Sequence, residues 1–373
     1  MNEQLKYKVA AVQYEPTQFK KTFNIESLIK LTEQAAKEGA KLIVTPEMGT
    51  TGYCWLDRKE VEPYVETIPG FTTDKFLEIA KKYNCYLVVG MPEVDKETNL
   101  YYNSAVLIGP NGIVGKHRKS HSYIAEPKWS APGQEHLVFE TEIGKIGILI
   151  CMDIHFIETA RLVALQEADI IVHISNWLGE RTPGSYWISR AFENSCYLIE
   201  GNRWGLERTV QFSGGSCVIN PDGSIAAVID KGDGLAFADI DLNWPRKRKV
   251  LDEKIFNDRR PEMYMNLPTD TYLWNPLEFF GLYGLNPLPK GKKSKISITQ
   301  MTPTNVIKDN LSKMLHYLNL AKEAQSELVA FPELCLTGHI NGKIGAIKKE
   351  CKEFNILSNY ANQNGIYIYF GFA

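Results

Sequence analysis

Apolar and polar positions in the first ninety residues follow two different periods. Lys8 to Gln13, in KVAAVQY, make an apolar run of strand length, and Ile25, Leu28, Leu31 and Ala35 then recur at helical spacing until Gly39. KLIVTPE is a second apolar run ending on Pro46 and Glu47. Thr73 to Tyr83 return to helical spacing and lead into CYLVVG, which ends at Gly90. The pattern predicts β-α-β-α-β. In NSAVLIGPNGIVGKHRK two β-rich runs flank Pro110-Asn111-Gly112, whose residues favour tight turns, so a hairpin is predicted with Lys119 at the exit of its second strand.

KIGILIC closes a further strand at Cys151, and Ile157, Ala160, Leu162 and Leu165 keep helical spacing after it. Cys151 is thereby placed at a strand-to-helix turn. DIIVHISNW then reads as a strand, SYWISRAFENSCY as a helix, and CYLIEGNR and GGSCVINPDGSI as strands, the last run broken by a Pro-Asp-Gly turn. Strands alternating with helices, with some hairpins, predict a layered α/β fold whose helices cover the sheets.

The pattern changes after Tyr264. LPTDTYLWNPLEFFGLYGLNPLPKGKK is rich in proline and glycine and ends in a basic cluster, which suits a linker with little regular structure. The chain then begins again. KISITQMTPT parallels KVAAVQYEPT, ELVAFPELCLTGH parallels KLIVTPEMGTTGY with Glu333 at the place of Glu47, and NGIYIYFGFA parallels NCYLVVGMPE. The expected organisation is a domain over residues 1–270, a linker over 271–293 and a partial second copy of the first β-α-β-α-β segment over 294–373. That copy stops before any counterpart of Lys119 or Cys151, so it reads as a module without the chemistry.

Composition narrows the function. A 373-residue chain that is 44% hydrophobic and 23% charged can bury a sizeable core. Its net charge of −2 offers no footprint for nucleic acid or an anionic membrane, which leaves a small molecule as the expected partner. The N-terminus lacks the apolar segment of a secretory signal and no run is long enough to span a membrane, so a cytoplasmic protein is expected. The seven cysteines include no CxxC pair. His117 and His121 are four residues apart, but at a strand exit and without HExxH nearby, so no metal is expected. Neither GxSxG nor GxxxxGK[ST] occurs, and no cofactor is implied.

A thiol attacks a carbonyl or nitrile carbon only as thiolate, and an ordinary thiol is mostly protonated at neutral pH. A strand-to-helix elbow exposes its side chain and aims the free N–H groups of the helix start at negative charge. Cys151, followed by Met152-Asp153, is so placed, although a buried structural thiol is the commoner use of cysteine. Glu47 ends a strand at the rim of the sheet, where partial desolvation would suit a general base; a lone glutamate there is more often an exposed loop residue. Lys119 ends another strand, and its compact ammonium can stabilise an oxyanion or simply be a solvated surface charge. His155, four residues past Cys151, offers a rival Cys-His pair or a pocket-lining ring.

Taken together, TPEMGTTGY, YNSAVLIGPNGIVGKHRKSH and ILICMDIHFIETARLVALQEADIIVHISNW resemble the carbon-nitrogen hydrolase (nitrilase) superfamily. SRAFENSCYLIEGNRWG, FSGGSCVINPDGSI and DRRPEMY extend the resemblance over nearly all of residues 6–266. It implies a four-layer α-β-β-α sandwich, a Glu-Lys-Cys triad at Glu47, Lys119 and Cys151, and the Met152 N–H as a second oxyanion donor. It also implies a supporting glutamate before a Pro-Gly pair, for which Glu126, ahead of Pro132-Gly133, is preferred over Glu135. A homodimer is implied as well. Met152-Asp153 resembles the amidase and carbamoylase branches more than nitrilases proper, which usually carry Trp-Glu there, so amide or carbamoyl substrates are expected ahead of nitriles. Phe156-Ile157-Glu158 departs from the common Phe-Pro-Glu. His155 stands where carbamoyl-amino-acid hydrolases often carry arginines, which gives no support to an acidic substrate. Tyr53, Trp129, Asn176 and Trp177 flank these segments, either as pocket walls or as core.

Overall fold

The computed structural model describes residues 5–178, 181–249, 256–265, 267, 291–340, 343–344, 347–348 and 351–372. The chain divides into two compact units, Met1–Met265 and Asn266–Ala373. Most of the expected linker, residues 271–290, lies outside the described residues.

The first unit opens with β1 (Lys6–Gln13), α1 (Lys21–Lys37), β2 (Ala40–Val44), a one-turn α2 (Arg58–Val61), α3 (Phe71–Tyr83) and β3 (Tyr86–Val94). The hairpin β4 (Tyr101–Gly109) and β5 (Gly112–Arg118) follows. Helix α3 starts two residues before the apolar periodicity does, because the Thr73 hydroxyl accepts the Gly70 N–H at 2.9 Å and caps the first turn. Next come β6 (Val138–Thr141), β7 (Gly144–Ile150), α4 (Ile157–Leu165), β8 (Ile170–Ser175), α5 (Ser185–Asn194) and β9 (Tyr197–Asn202). The ribbon β10 (Trp204–Glu207) and β11 (Val210–Ser213), then β12 (Cys217–Ile219), β13 (Ile225–Val228), β14 (Gly234–Asp241) and the short α6 (Asn243–Lys247) complete it.

Two six-stranded sheets result, ordered β14-β1-β2-β3-β4-β5 and β13-β12-β9-β8-β7-β6. Each is built on three parallel strands, β1-β2-β3 and β7-β8-β9, with antiparallel strands at its flanks. Side chains alternate by face along each strand. Val9, Ala11, Leu42, Val44 and Val88 meet the second sheet, whereas Ala10, Val12, Ile43, Leu87 and Val89 pack on Ile25 and Leu28 of α1 and Phe76 and Ile79 of α3. Helices α4 and α5 cover the other side of the second sheet through Ala160, Val163, Trp187 and Ala191. The layers are therefore α-β-β-α, as the family resemblance implied. At Gly201 a Cβ would lie 2.8 Å from the Thr45 carbonyl oxygen, so the two sheets nearly touch where β2 and β9 end.

The helix expected after Cys151 forms, and its exposed and buried sides are both largely apolar. Leu162 and Leu165 are 47% and 39% exposed, and the buried side of α4 is Thr159, Ala160, Val163 and Ala164. Spacing identifies a helix without fixing which of two apolar stripes faces inward.

The second unit comprises β15 (Ile296–Ile298), α7 (Ile307–Glu323), β16 (Leu328–Ala330), the ribbon β17 (His339–Ile340) and β18 (Lys343–Ile344), α8 (Lys352–Asn364) and β19 (Tyr367–Tyr369). Strands β15, β16 and β19 are parallel and adjacent in that order, the arrangement of β1, β2 and β3. Its core holds Leu311, Met314, Leu318, Val329, Phe331, Leu336 and Leu357. The likeness extends to backbone detail. Leu334 has φ 51°, as Met48 does, and a Cβ on Gly371 would lie 3.2 Å from Glu333 Cα, as one on Gly90 would lie 2.8 Å from Glu47 Cα.

Candidate active site

Glu47, Lys119, Cys151 and Asn176 all lie just beyond the ends of strands, after β2, β5, β7 and β8. The carboxyl ends of parallel strands are where α/β folds place their ligand sites, because the chain leaves the sheet there as free loops. Glu47 is carried on a tight turn in which the Gly49 N–H donates to the Pro46 carbonyl at 3.2 Å and Met48 adopts φ 51°. The turn rests directly on β3, since a Cβ on Gly90 would stand 2.3 Å from the Pro46 oxygen.

The Glu47 carboxylate is wholly buried and accepts four hydrogen bonds. Oε1 receives Lys119 Nζ at 2.8 Å and Asn103 Nδ2 at 2.7 Å; Oε2 receives the Asn176 backbone N–H at 2.8 Å and its Nδ2 at 2.9 Å. A carboxylate so satisfied is fixed in place.

Lys119 is equally constrained. Its backbone N–H donates to the Asn103 carbonyl and its carbonyl accepts the Gly133 N–H, both at 2.8 Å. Its ammonium lies between Glu47 and Glu126, 2.8 Å from an oxygen of each, with the Tyr53 ring centroid at 5.5 Å. Asn103 Nδ2 also donates to Glu126 Oε1 at 2.7 Å, tying the two glutamates together, and the Tyr123 N–H holds Glu126 Oε2 at 2.6 Å. Burial works against the Lys119 charge, but Glu126 and Glu47 outweigh it and hold its pKa well above the usual lysine value. Burial is also the main reason the Glu126 carboxyl is raised, against the pull of Lys119. Glu135 is exposed and takes no part.

Cys151 follows the last residue of β7 with φ 45°, a left-handed conformation that a residue with a Cβ rarely adopts. Residues Cys151–His155 form a 3-10 turn, and α4 begins only at Ile157, so the elbow opens on a tight turn instead of the α-helix expected there. The side chain is 9% exposed. Burial, followed by Glu47, pushes the thiol well above its ordinary pKa, with Lys119 opposing.

Asp153 fastens this elbow to the Lys119 loop. Its Oδ1 accepts from Ser120 N–H at 3.1 Å, Ser120 Oγ at 2.7 Å and His121 N–H at 2.9 Å. Its Oδ2 accepts the Ile150 N–H at 3.0 Å and lies 2.9 Å from His117 Nε2. Burial disfavours its charge, yet the bonds from His117, His121 and Ser120 prevail and keep the carboxyl well below the usual range.

Among the other residues singled out from the sequence, Asn176 bonds Glu47 directly and Tyr53 faces Lys119. Trp129 packs with Tyr53, Trp55 and Phe212 in a buried cluster. His155 is stacked on Trp177, ring centroids 4.8 Å apart, and against Tyr186 at 4.4 Å. Met152 is half-buried on the elbow. The strand patterns gave no weight to Asn103, His173 and Glu200, which the structure places in or behind the same site. Each is a polar residue inside a buried, largely apolar strand, and that misfit is the signal that marks them. Among the described residues no group of three or more His, Cys, Asp or Glu is arranged to hold a metal ion.

A family model for carbon-nitrogen hydrolases matches residues 8–247 and 295–373. The chain belongs to the carbon-nitrogen hydrolase family. A nitrilase of Pyrococcus abyssi is 37% identical over 261 residues, covering 69% of this chain and 98% of that protein. Omega-amidase NIT2 of Xenopus tropicalis is 29% identical over 254 residues, covering 64% and 90%. The crystal structure of Saccharomyces cerevisiae Nit3, a nitrilase-superfamily member, superposes with a TM-score of 0.62 at 26% identity over 69% of this chain and 99% of that one. This carbon-nitrogen hydrolase is accordingly an enzyme that hydrolyses carbon-nitrogen bonds, with the α-β-β-α fold of its superfamily.

Proposed function

We propose that the first unit is a thiol amidohydrolase that cleaves a non-peptide carbon-nitrogen bond of a small amide or carbamoyl compound. The observation that carries this reading is the buried Glu47–Lys119–Glu126 cluster at the same strand-end rim that carries Cys151. Glu47 takes the proton of Cys151, and the thiolate adds to the carbonyl carbon. Lys119 Nζ and the Met152 N–H hold the oxygen as it becomes negative, which lowers the barrier most because these donors are already oriented. Collapse of the tetrahedral adduct breaks the carbon-nitrogen bond, and the proton held by Glu47 leaves with ammonia or the amine. Water, deprotonated by Glu47, then attacks the thioester and releases the acid with the thiol restored. Glu126 and Asn103 keep Lys119 and Glu47 at their stations. Met152-Asp153 after the nucleophile favours amides over nitriles; nitrile hydrolysis by the same groups is the alternative.

The test is turnover of a panel of small amides, carbamoyl amines and nitriles by the chain and by Cys151→Ala, with intact-mass detection of an acyl adduct on Cys151. Loss of all turnover in the variant and an acyl mass in the parent are expected. Undiminished hydrolysis by Cys151→Ala overturns the assignment. The second unit is proposed to be a partial copy without this chemistry: Glu333, the residue matching Glu47, is exposed. The enzyme is further proposed to act as a homodimer.

A further inference from the structure

One buried ionisable pair stands behind the nucleophile and is not used in the mechanism above. His173 on β8 and Glu200 on β9 are register partners in the centre of the second sheet, and both are 0% exposed. Their strands, IIVHIS and YLIEGN, are otherwise largely apolar. A desolvated histidine and glutamate in such a place cost folding free energy unless every polar atom is satisfied. Here they are satisfied in one direction. Glu200 binds His173 Nδ1 through one oxygen and accepts the Ser175 hydroxyl with the other. The remaining imidazole nitrogen, His173 Nε2, lies 3.1 Å from the Cys151 carbonyl oxygen. A carbonyl only accepts, so Nε2 carries a proton whether the shared Nδ1 proton rests on the ring or on Glu200. Trp177 and Trp187 stand edge-on to the imidazole, with centroids at 6.1 and 5.9 Å, and shield it from water.

The carbonyl that His173 grips belongs to the same peptide unit as the Met152 N–H. That unit is planar and trans, so its C=O and N–H point in opposite directions, and fixing one aims the other. The Cys151 backbone, at φ 45°, is not held there by its own preference and needs an external anchor. We infer that His173, backed by Glu200, is a positioning residue for the oxyanion site: it anchors the Cys151–Met152 peptide and polarises it, so that the Met152 N–H donates more strongly as negative charge develops on the substrate oxygen. Chains of hydrogen bonds reinforce one another in this way when each is buried. The inference rests on the proposed thioester mechanism, since only that mechanism gives the Met152 N–H an oxyanion to bind.

The experiment compares His173→Leu, His173→Gln and Glu200→Gln with the parent, using the amide turned over best in the panel. Two rates are read: steady-state hydrolysis, and iodoacetamide alkylation of Cys151, which displaces iodide and forms no oxyanion. Removing an oxyanion donor outright costs about a hundredfold to a thousandfold. Loosening one should cost less, so His173→Leu is expected to lower kcat by about tenfold to a hundredfold, with KM and the alkylation rate within about twofold of the parent. His173→Gln, whose amide N–H can reach the same carbonyl, should recover most of that loss. Glu200→Gln should lower kcat several-fold with alkylation unchanged, and it reads the same device should His173→Leu not fold. Parent-like kcat in His173→Leu, or in Glu200→Gln when the former is unfolded, overturns the inference; so does an equal fall of hydrolysis and alkylation, which marks a merely distorted elbow. Cys151→Ala separates the two levels. Turnover that needs Cys151 but not His173 rejects this inference alone, whereas turnover that survives Cys151→Ala rejects the mechanism beneath it.

Discussion

At φ 45° Cys151 occupies a conformation in which its own Cβ crowds the backbone, at a cost of roughly 1–2 kcal/mol for any residue but glycine. Two thiol-free variants isolate that strain. Cys151→Gly and Cys151→Ala should both be inactive, yet the glycine variant should be the more stable by about 1 kcal/mol, read as a higher melting temperature; equal melting temperatures would show that the elbow carries no such strain. The two thiol mechanisms also separate at this scale. Lys119 is buried between two carboxylates, whereas His155 is stacked between Trp177 and Tyr186. Lys119→Ala should therefore lose about a hundredfold or more in kcat, while His155→Ala keeps measurable turnover and changes mainly its ranking of amides. The opposite order in folded protein would promote a Cys151-His155 pair.

Elements place these residues, and their joints can be tested. Gly90→Ala would press a methyl group against the Pro46 oxygen at 2.3 Å and Glu47 Cα at 2.8 Å, where only backbone can yield. It should destabilise the fold by about 1–3 kcal/mol and lower kcat by displacing Glu47; unchanged melting and kcat would mean that the turn after β2 floats free of β3. A second joint is the cluster of His117, His121, His136 and Asp153 between the Lys119 loop and the elbow. Burial, with His117 and His121 helping and Asp153 opposing, pushes the His136 imidazole down to about 4. An unfolded histidine titrates near 6.5, so between these values the unfolded chain binds a proton that the folded chain does not. Stability should fall as pH drops from about 6.5 toward 4, and His136→Gln should flatten that limb in a melting-temperature series; identical slopes would refute the coupling. The sequence made much of this scale legible. Glu47 and Cys151 end apolar runs and Lys119 ends the second strand of a predicted hairpin, and a strand end is what brings them to one rim. Other features depended on distant partners. Strand β14 pairs with β1 across more than two hundred positions, the polar misfits Asn103, His173 and Glu200 declare a purpose only once neighbouring strands are in register, and spacing alone does not tell that Leu162 and Leu165 lie on the outer stripe of their helix.

Among the described residues, the first unit is a two-sheet sandwich and the second holds one three-stranded parallel sheet and a two-stranded ribbon. In the first unit the inner face of β1-β2-β3 is covered by the second sheet. In the second unit Ile296, Ile298, Tyr367 and Tyr369 of the corresponding strands stand exposed, and among the described residues no second sheet covers them. Glu333 is exposed, whereas Glu47 is buried against Lys119, so Glu333→Ala should leave turnover unchanged where Glu47→Ala removes it. The outer helical layer of the first unit raises the question of assembly. Ile157, Leu162 and Leu165 on α4 and Phe192 on α5 are 51%, 47%, 39% and 52% exposed, on two helices bound to each other through Arg161 Nη2 and the Glu193 carbonyl at 2.9 Å. Exposed apolar side chains on adjacent helices suit a docking surface, and we propose that these form the contact of the two-fold homodimer proposed above. Sedimentation should find the chain dimeric, and Leu162→Glu with Leu165→Glu should shift it to monomer, because two carboxylates buried at a symmetric contact would face their own copies without partners. The Cys151 elbow leads directly into α4, so monomerisation is expected to lower kcat as well. A parent chain that sediments as a strict monomer with full activity would refute the dimer and leave the apolar layer to another partner.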